Sequence, residues 1–133
     1  MKFTAQILKF DEKSPATGVV YRREEMEKII EEFNKREVNY GQFAEGNEPF
    51  ETSKISNKVS NLRILGNGVF ADIELVNSPN GVFCKNLIRQ GKKLATAPRI
   101  EVDENGNLID LISVDIIKDN RKAFEENTLK PEE

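Results

Sequence analysis

The sequence predicts an α+β domain: a small antiparallel, partly closed β-barrel or curved sheet with one long and one short helix. Three observations predict it. Short apolar-polar alternating segments recur along the chain, roughly six of them. Two hairpin signals, Gly66-Asn67-Gly68 and Asn105-Gly106, join four of these segments into pairs. Residues 22–36 instead carry a helical period, with Met26, Ile29, Ile30 and Phe33 at i, i+3, i+4 and i+7.

Residues 2–10 alternate Phe3, Ala5 and Ile7 with polar neighbours before Leu8 and Phe10 blur the pattern. This reads as a strand with one buried face. Residues 11–18 are turn-rich, and Val19-Val20-Tyr21 is a brief extended piece. Residues 22–36 form a helix of about 22 Å. Glu24 and Glu25 near its start and Lys35 and Arg36 near its end suit the helix dipole. Its apolar side lies on a sheet and its charged side faces water. Residues 37–52 read as an irregular loop, long enough to suggest function or mobility.

Residues 53–65 form a long strand with only partial period, so a bulge is expected near Ser60-Asn61. After the first hairpin, residues 69–76 place Val69, Ala71, Ile73 and Leu75 on one face and Asp72 and Glu74 on the other. Facing solvent, rather than acid-base chemistry, is the ordinary explanation of that acidic pair. Residues 77–100 then form one unit. Ser78-Pro79-Asn80-Gly81 opens a short helix whose apolar side is Val82, Phe83, Leu87 and Ile88. Gly91 stands where a helix stops. A strand over residues 94–102 pairs through the second hairpin with residues 108–117, whose near-continuous apolar run predicts burial on both faces. Residues 1–117 are thus one domain, and residues 118–133 a charged tail or docking arm in which Phe124 and Leu129 are the large apolar groups.

Composition narrows the chemistry. The 133 residues contain no histidine and one cysteine, Cys84. Histidine-dependent nucleophilic catalysis and an intrachain disulfide are therefore excluded. Cys84 falls in the short helix and reads as a buried structural thiol. A metal would need an all-carboxylate site, and no calcium-loop spacing occurs. Charged residues make up 32% and the net charge is −3, which argues against a dedicated nucleic-acid binder. Arg89, Lys92 and Lys93 form a local basic patch or simply favour a helix C-terminus. No apolar run reaches membrane-spanning length, and the N-terminal stretch lacks a signal-peptide pattern, so a reducing intracellular setting is expected.

Three segments, in order, resemble the prohead (capsid maturation) proteases of tailed phages, a group with a herpesvirus-assemblin-like fold. Thr17-Gly-Val-Val-Tyr21-Arg22, followed by a helix, is similar to that family's N-x-x-G/N-R-x-Y-P segment. Lys54-Ile-Ser-Asn-Lys-Val-Ser-Asn-Leu62, the hairpin and Asn77-Ser-Pro-Asn-Gly81 resemble its V-S-H-x-V-x-x-L … T-P-x-G run. Leu87-Ile-Arg-Gln-Gly91-Lys-Lys-Leu94-Ala-Thr-Ala-Pro-Arg99 is similar to L-x-x-x-G-x-x-L-G-x-S-S-R-G. Leu111-Ile-Ser-Val-Asp115-Ile-Ile117 echoes its closing strand. The resemblance covers residues 17–117.

The resemblance implies the protease fold and, through its departures, a degenerate site. The family's serine positions fall on Ala97 and Pro98, and its histidine segment falls on residues 41–46, with Glu45 near the histidine place. Arg99 remains. Thr96 and Ser113 carry hydroxyls without an imidazole to activate them. The expected function is a non-catalytic structural protein of a phage virion, an auxiliary or decoration protein of the capsid, assembled in the host cytoplasm. Its expected partners are the major capsid protein or other virion proteins, with Phe43, Phe50, Phe124 and Leu129 as candidate contacts. No membrane, specific nucleic acid, small-molecule substrate, metal or cofactor is expected. Two alternatives stand beside it: a divergent prohead protease using Thr96 or Cys84 with a carboxylate, and a small phage protein that binds a host factor.

Overall fold

The computed structural model describes residues 1–15, 17–44, 48–118 and 129. Among them are six strands and two α-helices: β1 (Lys2–Lys9), α1 (Arg23–Asn34), β2 (Tyr40–Ala44), β3 (Ile55–Leu65), β4 (Gly68–Leu75), α2 (Pro79–Arg89), β5 (Ala95–Val102) and β6 (Leu108–Ile117). A 3-10 turn, Thr52–Lys54, leads into β3. The strands form one sheet in the order β1-β4-β3-β2-β6-β5, curled into a half-barrel. The α+β fold with a curved sheet is as expected. The sheet is mixed rather than purely antiparallel, because β2 runs parallel to β6.

That difference follows from β2, which occupies part of the expected 37–52 loop. Its sequence, YGQFA, mixes the strand formers Tyr40 and Phe43 with Gly41, Gln42 and Ala44, without a clear alternation, and its place is fixed by its neighbours. A Cβ on Gly41 would lie 1.9 Å from the Val114 carbonyl oxygen, so only glycine lets β2 approach β6 this closely. Val19-Val20-Tyr21, the expected extended piece, stays outside the sheet and makes one isolated bridge, Val20 to Lys13.

Bulges explain where the alternation blurs. In β1 the register shifts between Gln6 and Leu8, so Ile7 and Leu8 are both fully buried. In β3 the shift falls between Ser60 and Arg63, and Asn61 sits at φ +54°. The Asn34 side chain, at the end of α1, clamps this bulge: it donates to the Leu62 carbonyl (2.9 Å) and accepts from the Leu62 N–H (3.0 Å). Helix α1 ends there, short of Arg36. The Arg36 guanidinium lies over the Phe33 ring at 4.7 Å and binds Asp110 at 2.9 Å instead of serving the helix dipole.

Helix α2 begins as its sequence implies, with the Ser78 hydroxyl accepting from the Gly81 N–H at 3.0 Å. It ends at a glycine in the left-handed region, Gly91 at φ +81°. There the Lys92 N–H reaches the Leu87 carbonyl and the Gly91 N–H reaches that of Ile88, which satisfies the last carbonyls. The buried face is rotated from the expected one. Gly81, Cys84 and Leu87 point inward, whereas Val82 and Phe83 are exposed. Gly81 sets the rotation, since a Cβ there would meet the Val76 carbonyl oxygen at 1.9 Å.

The main core lies inside the curl, between the sheet and α1, and includes Phe3, Tyr21, Met26, Phe33, Ile73, Leu111 and Ile116. Leu129 joins it. Its N–H donates to the Leu94 carbonyl (2.7 Å) and its side chain is buried. The expected docking arm thus has an anchor within the domain at Leu129. Phe124 lies outside the described residues. Strand β6 is buried on both faces only from Ser113 to Ile117; Ile109 and Ile112 are exposed.

Candidate functional site

The β5–β6 ladder places the degenerate positions. Ala97 pairs with Asp115, Pro98 with Val114 and Arg99 with Ser113. Alternation then puts Ala97, Arg99, Ser113 and Asp115 on one face. Thr96, Val114 and Ile116 take the other face, toward the interior of the curl. Ala95, Ala97 and Ile117 form a small apolar cluster separate from the main core.

This face floors a cleft of about 760 Å³. Ala97, Arg99 and Asp115 line it, as do Thr17, Val20, Arg22 and Glu25 from the segment before α1. That segment is held by Tyr21, which is fully buried and whose phenol oxygen lies 3.1 Å from the Thr17 hydroxyl. Burial raises the Tyr21 phenol above its ordinary range, partly offset by hydrogen bonds from Thr17 and Ser14.

Asp115 is the centre of the polar chemistry here. Its Oδ2 accepts from Arg99 Nη2 at 2.7 Å and from Arg99 Nε at 3.0 Å. Its Oδ1 accepts from the Gln42 backbone N–H at 3.2 Å and from the Ser113 hydroxyl at 3.4 Å. Asp115 is only 5% exposed. Burial therefore pushes its carboxyl above the usual aspartate range, and Arg99, Gln42 and Ser113 draw it only part of the way back. Arg99 spans further. Its Nη1 donates to the Glu48 carbonyl at 2.7 Å. Gln42, with no exposed surface, donates from Nε2 to the Pro49 carbonyl (3.1 Å) and accepts the Glu51 N–H at Oε1 (2.8 Å).

Ala97, Pro98 and Arg99 are therefore adjacent at the cleft, and Glu45 lies outside the described residues. The other groups considered for attack face elsewhere. The Thr96 hydroxyl is buried and donates to the Gln6 carbonyl at 2.8 Å, bridging β5 to β1 where the half-barrel nearly closes. The Cys84 thiol is buried under α2 and pushed up to about 12 by desolvation. Of the candidate contacts, Phe43 is largely buried and meets the Phe83 ring edge-on at 5.6 Å, whereas Phe50 is 38% exposed. Asp115 and Gln42 are the site residues that sequence reasoning missed. For Asp115 a signal existed: it is the charge inside the apolar run Leu111–Ile117 that the resemblance quotes.

No protein-family model and no curated protein matches the chain. Among solved structures it is similar to the bacteriophage T4 capsid assembly protease, with a TM-score of 0.64 and 14% identity. The superposition covers 87% of this chain and 80% of that one. Among the described residues no helix is long and apolar enough to cross a membrane. At this identity the likeness is one of fold, and it agrees with the fold that the motif order implies: the chain has the protease-like fold of a phage capsid assembly protease.

Proposed function

We propose that this chain is a non-catalytic structural protein of a phage virion, an auxiliary or decoration protein of the capsid. One observation carries the reading. A fold shared with a capsid assembly protease presents Ala97 and Pro98 at the cleft, where the family resemblance puts the nucleophile. A methyl group and a pyrrolidine ring have no lone pair for attack, and the sequence offers no imidazole base. Arg99 is bound to Asp115 and to a backbone carbonyl, the arrangement of a structural ion pair.

The proteolytic alternative gains no support from the geometry of its candidate groups. Thr96 is buried and engaged with Gln6, and the Cys84 thiol is the opposite of an activated one. Contact with the major capsid protein or other virion proteins would run through exposed apolar groups such as Phe50 and, on α2, Val82 and Phe83. Quantitative mass spectrometry of purified mature particles tests the reading. The protein is expected at a fixed ratio to the major capsid protein, and its absence from particles would overturn the proposal.

A further inference from the structure

Residues 48–51 follow β2 in the chain and belong to no strand of the sheet. Side chains hold them. Arg99 Nη1 takes the Glu48 carbonyl, Gln42 Nε2 takes the Pro49 carbonyl, and Gln42 Oε1 takes the Glu51 N–H. Both holding residues are set by the same carboxylate, through Arg99 on Oδ2 and the Gln42 N–H on Oδ1 of Asp115. The far end of this strap runs into the 3-10 turn, where the Lys54 N–H bonds the Glu51 carbonyl at 2.9 Å. Lys54 also lies 3.9 Å from Glu48 and 3.8 Å from Glu51.

We propose that Asp115, Arg99 and Gln42 form a latch, and that residues 48–51 are the strap it holds, able to swing away while the sheet stays folded. The reasoning is a comparison of what each opening breaks. The bonds that lifting the strap breaks include three side-chain-to-backbone hydrogen bonds, and the move carries Phe50, which is already part-exposed. Opening β5 or β6 would expose Leu111, Val114 and Ile116 from the core. Segments with few buried apolar contacts open at lower free energy than the core does. The 3-10 turn is the natural hinge, since it stays anchored by the Asn80 side chain on the Lys54 carbonyl (3.0 Å). Lifting the strap bares the Gln42 amide and changes where Phe50 points, which would make this corner responsive to a partner. Arg99 from β5 is the cation bound to Asp115, and Arg22 and Glu25 line the same cleft.

Amide hydrogen exchange of the full chain tests the latch, with the Glu51 N–H as reporter and the β4 amides as the sheet control. Asp115→Leu with Arg99→Met, the double replacement that strands no charge, is expected to speed exchange at Glu51 about thirtyfold while the β4 amides stay within about fivefold. Unchanged exchange at Glu51 in that folded double variant would overturn the latch. So would an equal acceleration at Glu51 and in β4, because the strap would then be part of the sheet's own cooperative unit.

Discussion

Asp115 receives two N–H groups of Arg99 on a single carboxylate oxygen, and the guanidinium passes its remaining reach to the Glu48 carbonyl. The same carboxylate is held above its ordinary range by burial, even with the cation at 2.7 Å. These facts agree physically. A buried pair recovers little more than its desolvation cost, yet removing one partner strands the other charge.

A thermodynamic cycle on the pair should show this asymmetry. Asp115→Leu alone leaves Arg99 without its counter-ion, Arg99→Met alone leaves Asp115 without its cation, and each is expected to cost about 3 kcal/mol. The double replacement Asp115→Leu with Arg99→Met should recover most of that loss, to within about 1 kcal/mol of the parent chain. Urea unfolding midpoints of the four proteins read the result.

The raised carboxyl also fixes the sign of a pH effect. Between its unfolded value near 3.8 and its higher folded value, the native state holds more protons at Asp115 than the unfolded state does. The stabilisation linked to this group is therefore full below 3.8 and is lost as pH rises through the folded value. Asp115→Asn removes the titration. The stability lost in that variant, relative to the parent, should be largest near pH 4 and shrink toward pH 7. A loss that grows with pH would contradict the assignment.

Gly41→Ala should be among the most damaging of conservative substitutions. The new methyl would collide with the Val114 carbonyl, and the neighbouring Asn57 amide, which donates to that same oxygen at 3.2 Å, would be displaced. A loss of about 3 kcal/mol or more is expected, read by thermal unfolding. Gly106→Ala places its methyl in open space, and its cost comes from the positive φ of the hairpin alone, about 1 kcal/mol.

Leu129→Ala tests how firmly the C-terminal anchor belongs to the domain. The buried isobutyl group predicts a loss of about 2–3 kcal/mol in chemical unfolding. A neutral result would mean that Leu129 sits on the core without supporting it.

Cys84 should resist thiol reagents in the folded protein. Its thiol is raised from 9.0 to about 12, which leaves about a thousandfold less thiolate near neutral pH. Labelling with iodoacetamide is therefore expected to be slow in buffer and fast in urea. Equal rates would place the thiol at the surface.

The motifs made much of the fold legible. The period of α1, the two hairpins, the bulge near Asn61 and the Ser78-to-Gly91 limits of α2 all rest on local chemistry, and each stands where the residues imply. Strand β2 was not legible because its pairing is with distant β3 and β6, and Gly41 and Gln42 oppose a strand reading locally. The α2 face was misjudged for a related reason. Val82 and Phe83 are more apolar than Gly81, but Gly81 alone lets the helix pack down on Val76.

By itself the sequence determined an α+β domain without histidine, with Ala97, Pro98 and Arg99 in consecutive strand positions. Adjacency along a chain fixes such facts, because hydrogen bonds and rotamer limits within a turn or a strand act over a few residues. Only the tertiary structure decided that Asp115 stands across from Ala97, that Arg99 bridges it to the 48–51 strap, and that Leu129 returns to the core. Those relationships join residues far apart in sequence. They depend on strand register and on desolvation, two quantities that no local pattern carries.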